Sequence, residues 1–263
     1  MLIIGERINA TRKRVGQATV EKDAQLIKEE AKKQVEAGAH FLDVNGGIPG
    51  RETEYLPWLV KVVQEAVDVP LCLDSADPEA LKLALPLCKN KAMINSITDE
   101  PERKQALIPL IKEYKTRVVA LCMSASGPPC TAEDRISTAV RLVDFLTGQG
   151  VPEDDIYVDS CILPLSVDAS HCSGMLQAVG ELARQFPNVH RSCGLSNVSH
   201  GLPLRKLINE VFLAMLISRG LDAAILDPTD PHLMSVVKAA EALAGRDEFC
   251  AEYLTAFRAG KLV

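Results

Sequence analysis

The sequence predicts an α/β fold, a single (β/α)8 TIM barrel over residues 1–263 as one domain, and three observations predict it. Eight short apolar runs alternate with eight amphipathic stretches along the chain. The runs are almost continuously Val, Ile, Leu and Cys, as strands are when both faces of a parallel sheet are covered. The length of 263 residues, 47% of them apolar, is close to the ~250 residues of such a barrel and fills its core.

The elements follow in order. "LIIG" (2–5) precedes a helical stretch over 20–35 that puts Ala24, Ile27, Ala31 and Val35 on one stripe. "HFLDVN" (40–45) leads to 52–66, "PLCLDS" (70–75) to 78–87, and "AMINS" (92–96) to 102–111. "RVVALCM" (117–123) leads to 132–147, where Thr131 and Asp134 have capping-box spacing. "IYVDS" (156–160) leads to 175–186, "RSCGLSN" (191–197) to 204–217, and "AAILD" (223–227) to 232–243. Gly38, Gly148 and Gly220 stand where helices should end, and 247–263 form an appendage with a final helix. An open doubly wound sheet is the alternative, but "GERINATRKR" after the first strand lacks the GxGxxG of a phosphate turn.

Charge and composition exclude several functions. With 29 basic against 35 acidic residues the net charge is −6, and the cations form no stripe, so nucleic acid is not an expected partner. The N-terminus lacks the apolar core of a signal peptide and no run reaches the roughly 20 apolar residues of a membrane span. The expectation is a cytoplasmic protein without membrane contact. The eight Cys contain no CxxC pair and read as reduced, mostly buried small hydrophobes. His171 and Cys172 with Cys161 and Cys193 lack zinc spacing, so no metal is expected. "DASHCSG" (168–174) has one residue too many for a corrinoid-binding DxHxxG pattern and reads as a loop; no GxSxG elbow occurs.

Barrel enzymes work at the C-terminal ends of their strands. Those ends are rich in carboxylates and amides here: Glu6 and Asn9, Asp43 and Asn45, Asp74 and Ser75, Asn95 and Ser96, Ser124 and Ser126, Asp159, Ser196 and Asn197, and Asp227. Few cations accompany them, which predicts a neutral ligand rich in N–H donors. Carboxylates accept paired N–H groups and Asn both donates and accepts, which suits the edge of an aminopyrimidinone ring. Asp74, Asn95 and Asp159 close strands three, four and six; the competing reading is that such residues only cap the next helix. Likewise Gly194 and Gly201 are fully accounted for as turn residues.

"MLIIGERIN", "LCLDS", "AMINS", "ILP" after "VDS", "GLSNVS" and "LINEVFLAM…GLDAAI" resemble, in order and at consistent spacing, the pterin-binding methyltransferases. These move a methyl group between methyltetrahydrofolate and a corrinoid protein. The resemblance runs from residue 1 to about residue 250 and is close to the methyltetrahydrofolate:corrinoid/iron-sulfur protein methyltransferases and the methyltransferase components of O-demethylase and glycine betaine demethylation systems. It implies a barrel that forms a homodimer, with tetrahydrofolate or 5-methyltetrahydrofolate as substrate and a corrinoid (cobalamin) supplied by a partner protein. It implies that Asp74, Asn95 and Asp159 hydrogen-bond the pterin, that Gly194, Ser196 and Arg205 line the pocket, and that Asn197 meets N5, the methyl-bearing atom. The same pocket could serve a dihydropteroate synthase-like condensation, or a non-catalytic pterin or corrinoid-protein-binding module. "CMSASGPPC" (122–130) departs from the resemblance, with Ser124 and Ala125 where relatives carry Asn, Asp, Glu or Lys.

Overall fold

The computed structural model describes residues 1–48 and 50–263. Its elements are β1 (Leu2–Asn9), α1 (Lys13–Glu21), α2 (Ala24–Glu36), β2 (Phe41–Asn45), α3 (Glu52–Gln64), β3 (Leu71–Asp74), α4 (Pro78–Ala84), β4 (Met93–Asp99) and α5 (Pro101–Tyr114). They continue as β5 (Arg117–Ser124), α6 (Ala132–Gly148), β6 (Ile156–Asp159), α7 (Ser170–Gln185), β7 (His190–Ser192), α8 (Arg205–Ser218), β8 (Ala223–Leu226), α9 (Pro231–Leu243) and α10 (Ala251–Arg258). All strands pair in parallel in the order β8-β1-β2-β3-β4-β5-β6-β7. The barrel closes where Gly194 bridges Ile225, whose N–H donates to the Cys193 carbonyl at 2.8 Å.

Alternation along each strand builds the barrel's two sides. Phe41, Cys72, Met93, Val119 and Tyr157 point inward and pack together inside it. Two residues further on, the inward positions are Asp43, Asp74, Asn95, Leu121 and Asp159, and all five line the mouth. The outward residues between them, such as Leu42, Val44, Leu73, Ile94 and Val158, pack under the helices with Leu56, Leu59, Leu81 and Leu142. Each such Leu withdraws enough apolar surface to stabilise the fold by about 1.5–3 kcal/mol. The polar top of the barrel thus rests on an apolar plug. No described helix is long and apolar enough to cross a membrane.

The expected barrel is present, with local differences. The predicted helix over 20–35 is two helices: Lys22 takes a left-handed conformation (φ 58°) that ends α1, and Asp23 caps α2 by accepting from the Leu26 N–H at 3.1 Å. A lysine in that position hides the break, because glycine is the residue that normally marks it. Gly38 and Gly220 do take positive φ past helix ends, whereas Gly148 is the last residue of α6 and Gly150 (φ 85°) makes the turn. The Thr131–Asp134 capping box is present. Residues 170–174 of "DASHCSG" open α7 rather than forming a loop. Cys72, Cys122 and Cys193 are buried, but Cys88, Cys161 and Cys172 are half-buried and Cys130 and Cys250 exposed, so burial is less general than expected; all eight are free thiols.

Candidate active site

The C-terminal ends of the strands surround a cleft of about 710 Å³, and all seven sequence-predicted residues line it: Asp74, Asn95, Asp159, Gly194, Ser196, Asn197 and Arg205. A second cavity, about 650 Å³, lies at the opposite end of the barrel among Met1, Gly38, His40 and the C-terminal residues. There the N-terminal amine pairs with Glu241 and Lys238 with Glu252, and none of the seven predicted residues lines it.

Strand register sets the floor of the cleft. Asn45 lies opposite Asp74, and Asp74 opposite Asn95, placing amide and carboxylate side by side on neighbouring strands. Asn45 Nδ2 donates to Asp74 at 2.7 Å, and Asn95 Nδ2 donates to Asp43 at 3.1 Å. Burial, then the charge of Asp74, raises the Asp43 carboxyl well above its usual range. Burial raises Asp74 as well, against the Asn45 hydrogen bond. Asp159 accepts from the backbone N–H of Cys161 at 2.8 Å and of Gly194 at 3.2 Å. Those donors favour its charged form, yet burial outweighs them and pushes it up to about 6. A ligand offering N–H donors to these carboxylates restores part of the solvation that the barrel removes.

The wall after β7 is a tight turn, not the continued strand suggested by "RSCGLSN". A 3-10 turn at Leu195–Asn197 carries Ser196 and Asn197 over the cleft. A Cβ on Gly194 would stand 3.3 Å from Asn197 Nδ2, so glycine there leaves the Asn side chain its room. The Asn197 amide has no side-chain hydrogen bond among the described residues and is free to meet a ligand. Ser196 Oγ donates to both oxygens of Glu6 at 2.9 and 3.0 Å. Burial raises Glu6, with Ser196 and Arg12 opposing. Arg205 Nε donates to Ser199 Oγ at 3.0 Å and Nη2 to the Ser196 carbonyl at 2.6 Å, fastening the turn to α8.

Several contributors escaped the sequence reading. Arg103 on α5 donates to the carbonyls of Ser75 (2.8 Å), Ala76 (2.7 Å) and Ser96 (2.9 Å), clamping the loop that follows β3 to the middle of β4. Nothing in an amphipathic helix pattern marks it. Arg12, Lys206 and Asn209 line the mouth, so the expectation of a site with few cations is corrected: strand ends supply acids and amides, but the β1–α1 loop and α8 add positive charge. Only the run "TRKR" (11–14) signalled part of this. The Ser124–Cys130 segment contributes no lining residue; the cleft reaches β5 only at Leu121.

Comparison with known proteins agrees with this geometry. Residues 5–227 match the family model described as pterin binding enzyme. The chain is 37% identical over its full length, and over 98% of the relative, to a methylcorrinoid:tetrahydrofolate methyltransferase of Eubacterium limosum. It is 32% identical across 86% of its length to methionine synthase of Mycobacterium tuberculosis, of which it spans 20%. Among solved structures it shares the fold of dihydropteroate synthases from Yersinia pestis (TM-score 0.70, 16% identity, 93% of each chain) and Thermus thermophilus (TM-score 0.68, 18% identity, 92% of this chain and 94% of that one). With a carboxylate-and-amide floor at the mouth of a (β/α)8 barrel and a family match over most of its length, the chain belongs to the pterin binding enzymes.

Proposed function

We propose that this protein is a methyltransferase that moves a methyl group from a methylated corrinoid, carried by a partner protein, to N5 of tetrahydrofolate. The observation that carries the reading is the row Asn45–Asp74–Asn95 with Asp43 and Asp159, at a cleft also lined by an Asn197 amide that has no side-chain partner among the described residues. The full-length similarity to a protein named for this reaction and direction supports it. Asp74, Asn95 and Asp159 take the N–H groups and acceptors of the pterin edge, Gly194 and Ser196 line the ring, and Arg205 holds the turn that presents Asn197. A single barrel domain supplies this site, and the cobalt is delivered by the corrinoid protein.

In the transfer, the N5 lone pair attacks the methyl carbon, the cobalt–carbon bond breaks with its electron pair left on the metal, and N5 becomes positively charged before losing its proton. Asn197 is suited to the charged state. Its amide turns its oxygen to accept from N5–H, an interaction stronger in the transition state than with neutral N5. In the reverse direction the same contact assists departure of the methyl from N5.

A homodimer is the proposed assembly. Leu207, Val211 and Met215 recur at helical spacing on the solvent side of α8 and are 44–57% exposed, and Leu204 just ahead of the helix is exposed too, an apolar stripe that a second copy would cover. The deciding experiment mixes methylcobalamin, tetrahydrofolate and catalytic amounts of protein and follows the cob(I)alamin spectrum and 5-methyltetrahydrofolate. Protein-dependent formation of both is expected. Absence of pterin binding by titration would overturn the reading.

A further inference from the structure

The mouth is electrically two-sided. Its acid and amide floor comes from the ends of β2, β3, β4 and β6, whereas Arg12, Arg205 and Lys206 come from the β1–α1 loop and the first turn of α8, on either side of β8. Arg205 bonds only uncharged oxygens. Arg12 is loosely held, 3.4 Å from Glu6 and 4.0 Å from Asp227, with its side chain 40% exposed. Lys206 reaches Asp230 at 2.8 Å but leaves 76% of its side chain in solvent. Lys13 and Arg14 continue the run at the same corner, and both are exposed. Beside them Asn209 lines the cleft with its side-chain oxygen buried and without a hydrogen-bond partner, an acceptor in need of an N–H donor.

Nothing in methyl transfer at N5 uses Arg12, Lys206 or Asn209. Tetrahydrofolate, however, has the same asymmetry as the mouth. One end is an aminopyrimidinone with N–H donors; the other is an aminobenzoylglutamate with carboxylates, an anilino N–H and an amide N–H. With the ring on the β2–β6 side, the remainder of the molecule passes toward β8. We infer that Arg12, Lys206 and Asn209 form a subsite for the aminobenzoylglutamate tail. Arg12 and Lys206 take its carboxylates, Asn209 accepts from one of its N–H groups, and Lys13 and Arg14 lie where further glutamyl carboxylates would extend. The inference rests on the folate reading of the site.

The test compares tetrahydrofolate with 6-methyltetrahydropterin, which lacks the tail, by calorimetric titration of the full chain. The wild type is expected to prefer tetrahydrofolate. The Arg12→Gln, Lys206→Gln double variant is expected to bind tetrahydrofolate about three- to twentyfold more weakly and 6-methyltetrahydropterin unchanged, the range for two exposed charge pairs. Raising NaCl from ~0.05 to ~0.5 M should erode the wild-type preference and leave the variant's small one alone. Because the Lys206 side chain is largely in solvent, the single Lys206→Gln variant repeats the comparison without risk to folding. Equal binding of both ligands by the wild type sinks the tail subsite and leaves the pterin site standing. Equal weakening of both ligands in the variants also overturns it. So does an intact preference accompanied by a raised KM for the corrinoid protein, which would assign the cations to partner docking. If neither ligand binds the wild type, the folate reading itself falls and the subsite with it.

Discussion

Replacing Asp159 by Asn separates the carboxylate's charge from its shape. Asp159 is buried, accepts two backbone N–H groups, and has its pKa pushed from the usual 3.8 to about 6. That rise corresponds to about 3 kcal/mol of stability. Its sign follows from the folded-state pKa lying above the unfolded one: the folded protein holds the proton more tightly, so the contribution is fully present below about pH 4 and is lost as pH rises through about 6. Without ligand, the wild type should therefore become less stable between pH 4 and 6 on account of this group, and Asp159→Asn should lack that component. Binding runs the other way. A pterin that donates N–H groups requires the carboxylate ionised, so wild-type affinity for tetrahydrofolate should fall by up to about tenfold per pH unit below about 6. The Asn variant should show no such fall, and its affinity at pH 7 should be lower by about 10- to 150-fold, the worth of a charge-assisted hydrogen bond at about 1.5–3 kcal/mol. Calorimetric titration from pH 5 to pH 8 measures both effects. A variant that binds within twofold of wild type at pH 7 and keeps the wild-type pH profile would refute the assignment of Asp159 to the pterin.

Three further outcomes are expected. Asn197→Ala should keep tetrahydrofolate affinity within a few-fold but slow methyl transfer by about tenfold or more in stopped-flow spectra of the corrinoid, and an unchanged rate would remove Asn197 from the mechanism. Arg103→Met removes donors from the carbonyls of Ser75, Ala76 and Ser96 and should lower stability by about 1–3 kcal/mol in urea unfolding while weakening pterin binding through Asp74 and Asn95; an unshifted midpoint would mean that the loop after β3 and the bend of β4 hold without it. Val211→Asp charges the exposed stripe of α8 and should convert a dimer into monomers in sedimentation velocity, an expectation that fails if the wild type already sediments as a monomer.

The barrel was legible because each strand is apolar on both faces and each helix on one, a contrast that local composition carries without knowledge of tertiary contacts. Asp74, Asn95 and Asp159 were legible for the same reason: a carboxylate or amide ending an apolar run stands out, and period two turns it inward with Cys72, Met93 and Tyr157. What local sequence does not carry is pairing between strands. That Asn45 serves Asp74 while Asn95 serves Asp43 depends on register, and that Arg103 ties the loop after β3 to β4 depends on how α5 packs. The cations of the rim were missed because they lie beyond strand ends, in a loop and a helix turn that close on β8 only when the barrel does.

The choice of an amide at 197 follows from the company it keeps. Burial already raises Glu6, Asp43, Asp74 and Asp159, so the cleft resists further negative charge. A carboxylate added beside them would be driven to hold a proton and would then present a donor to N5, opposing the charge that N5 develops during transfer. An amide does not titrate. It offers N5 the same acceptor oxygen whatever the protonation of its neighbours, and Gly194 leaves it the room to turn. On this argument Asn197→Asp should not rescue Asn197→Ala at neutral pH. Its activity should instead rise with pH as the new carboxylate ionises, whereas the wild-type contact carries no titration of its own; a fully active Asn197→Asp with a flat pH profile would show that charge, rather than an untitrating acceptor, suffices at this position.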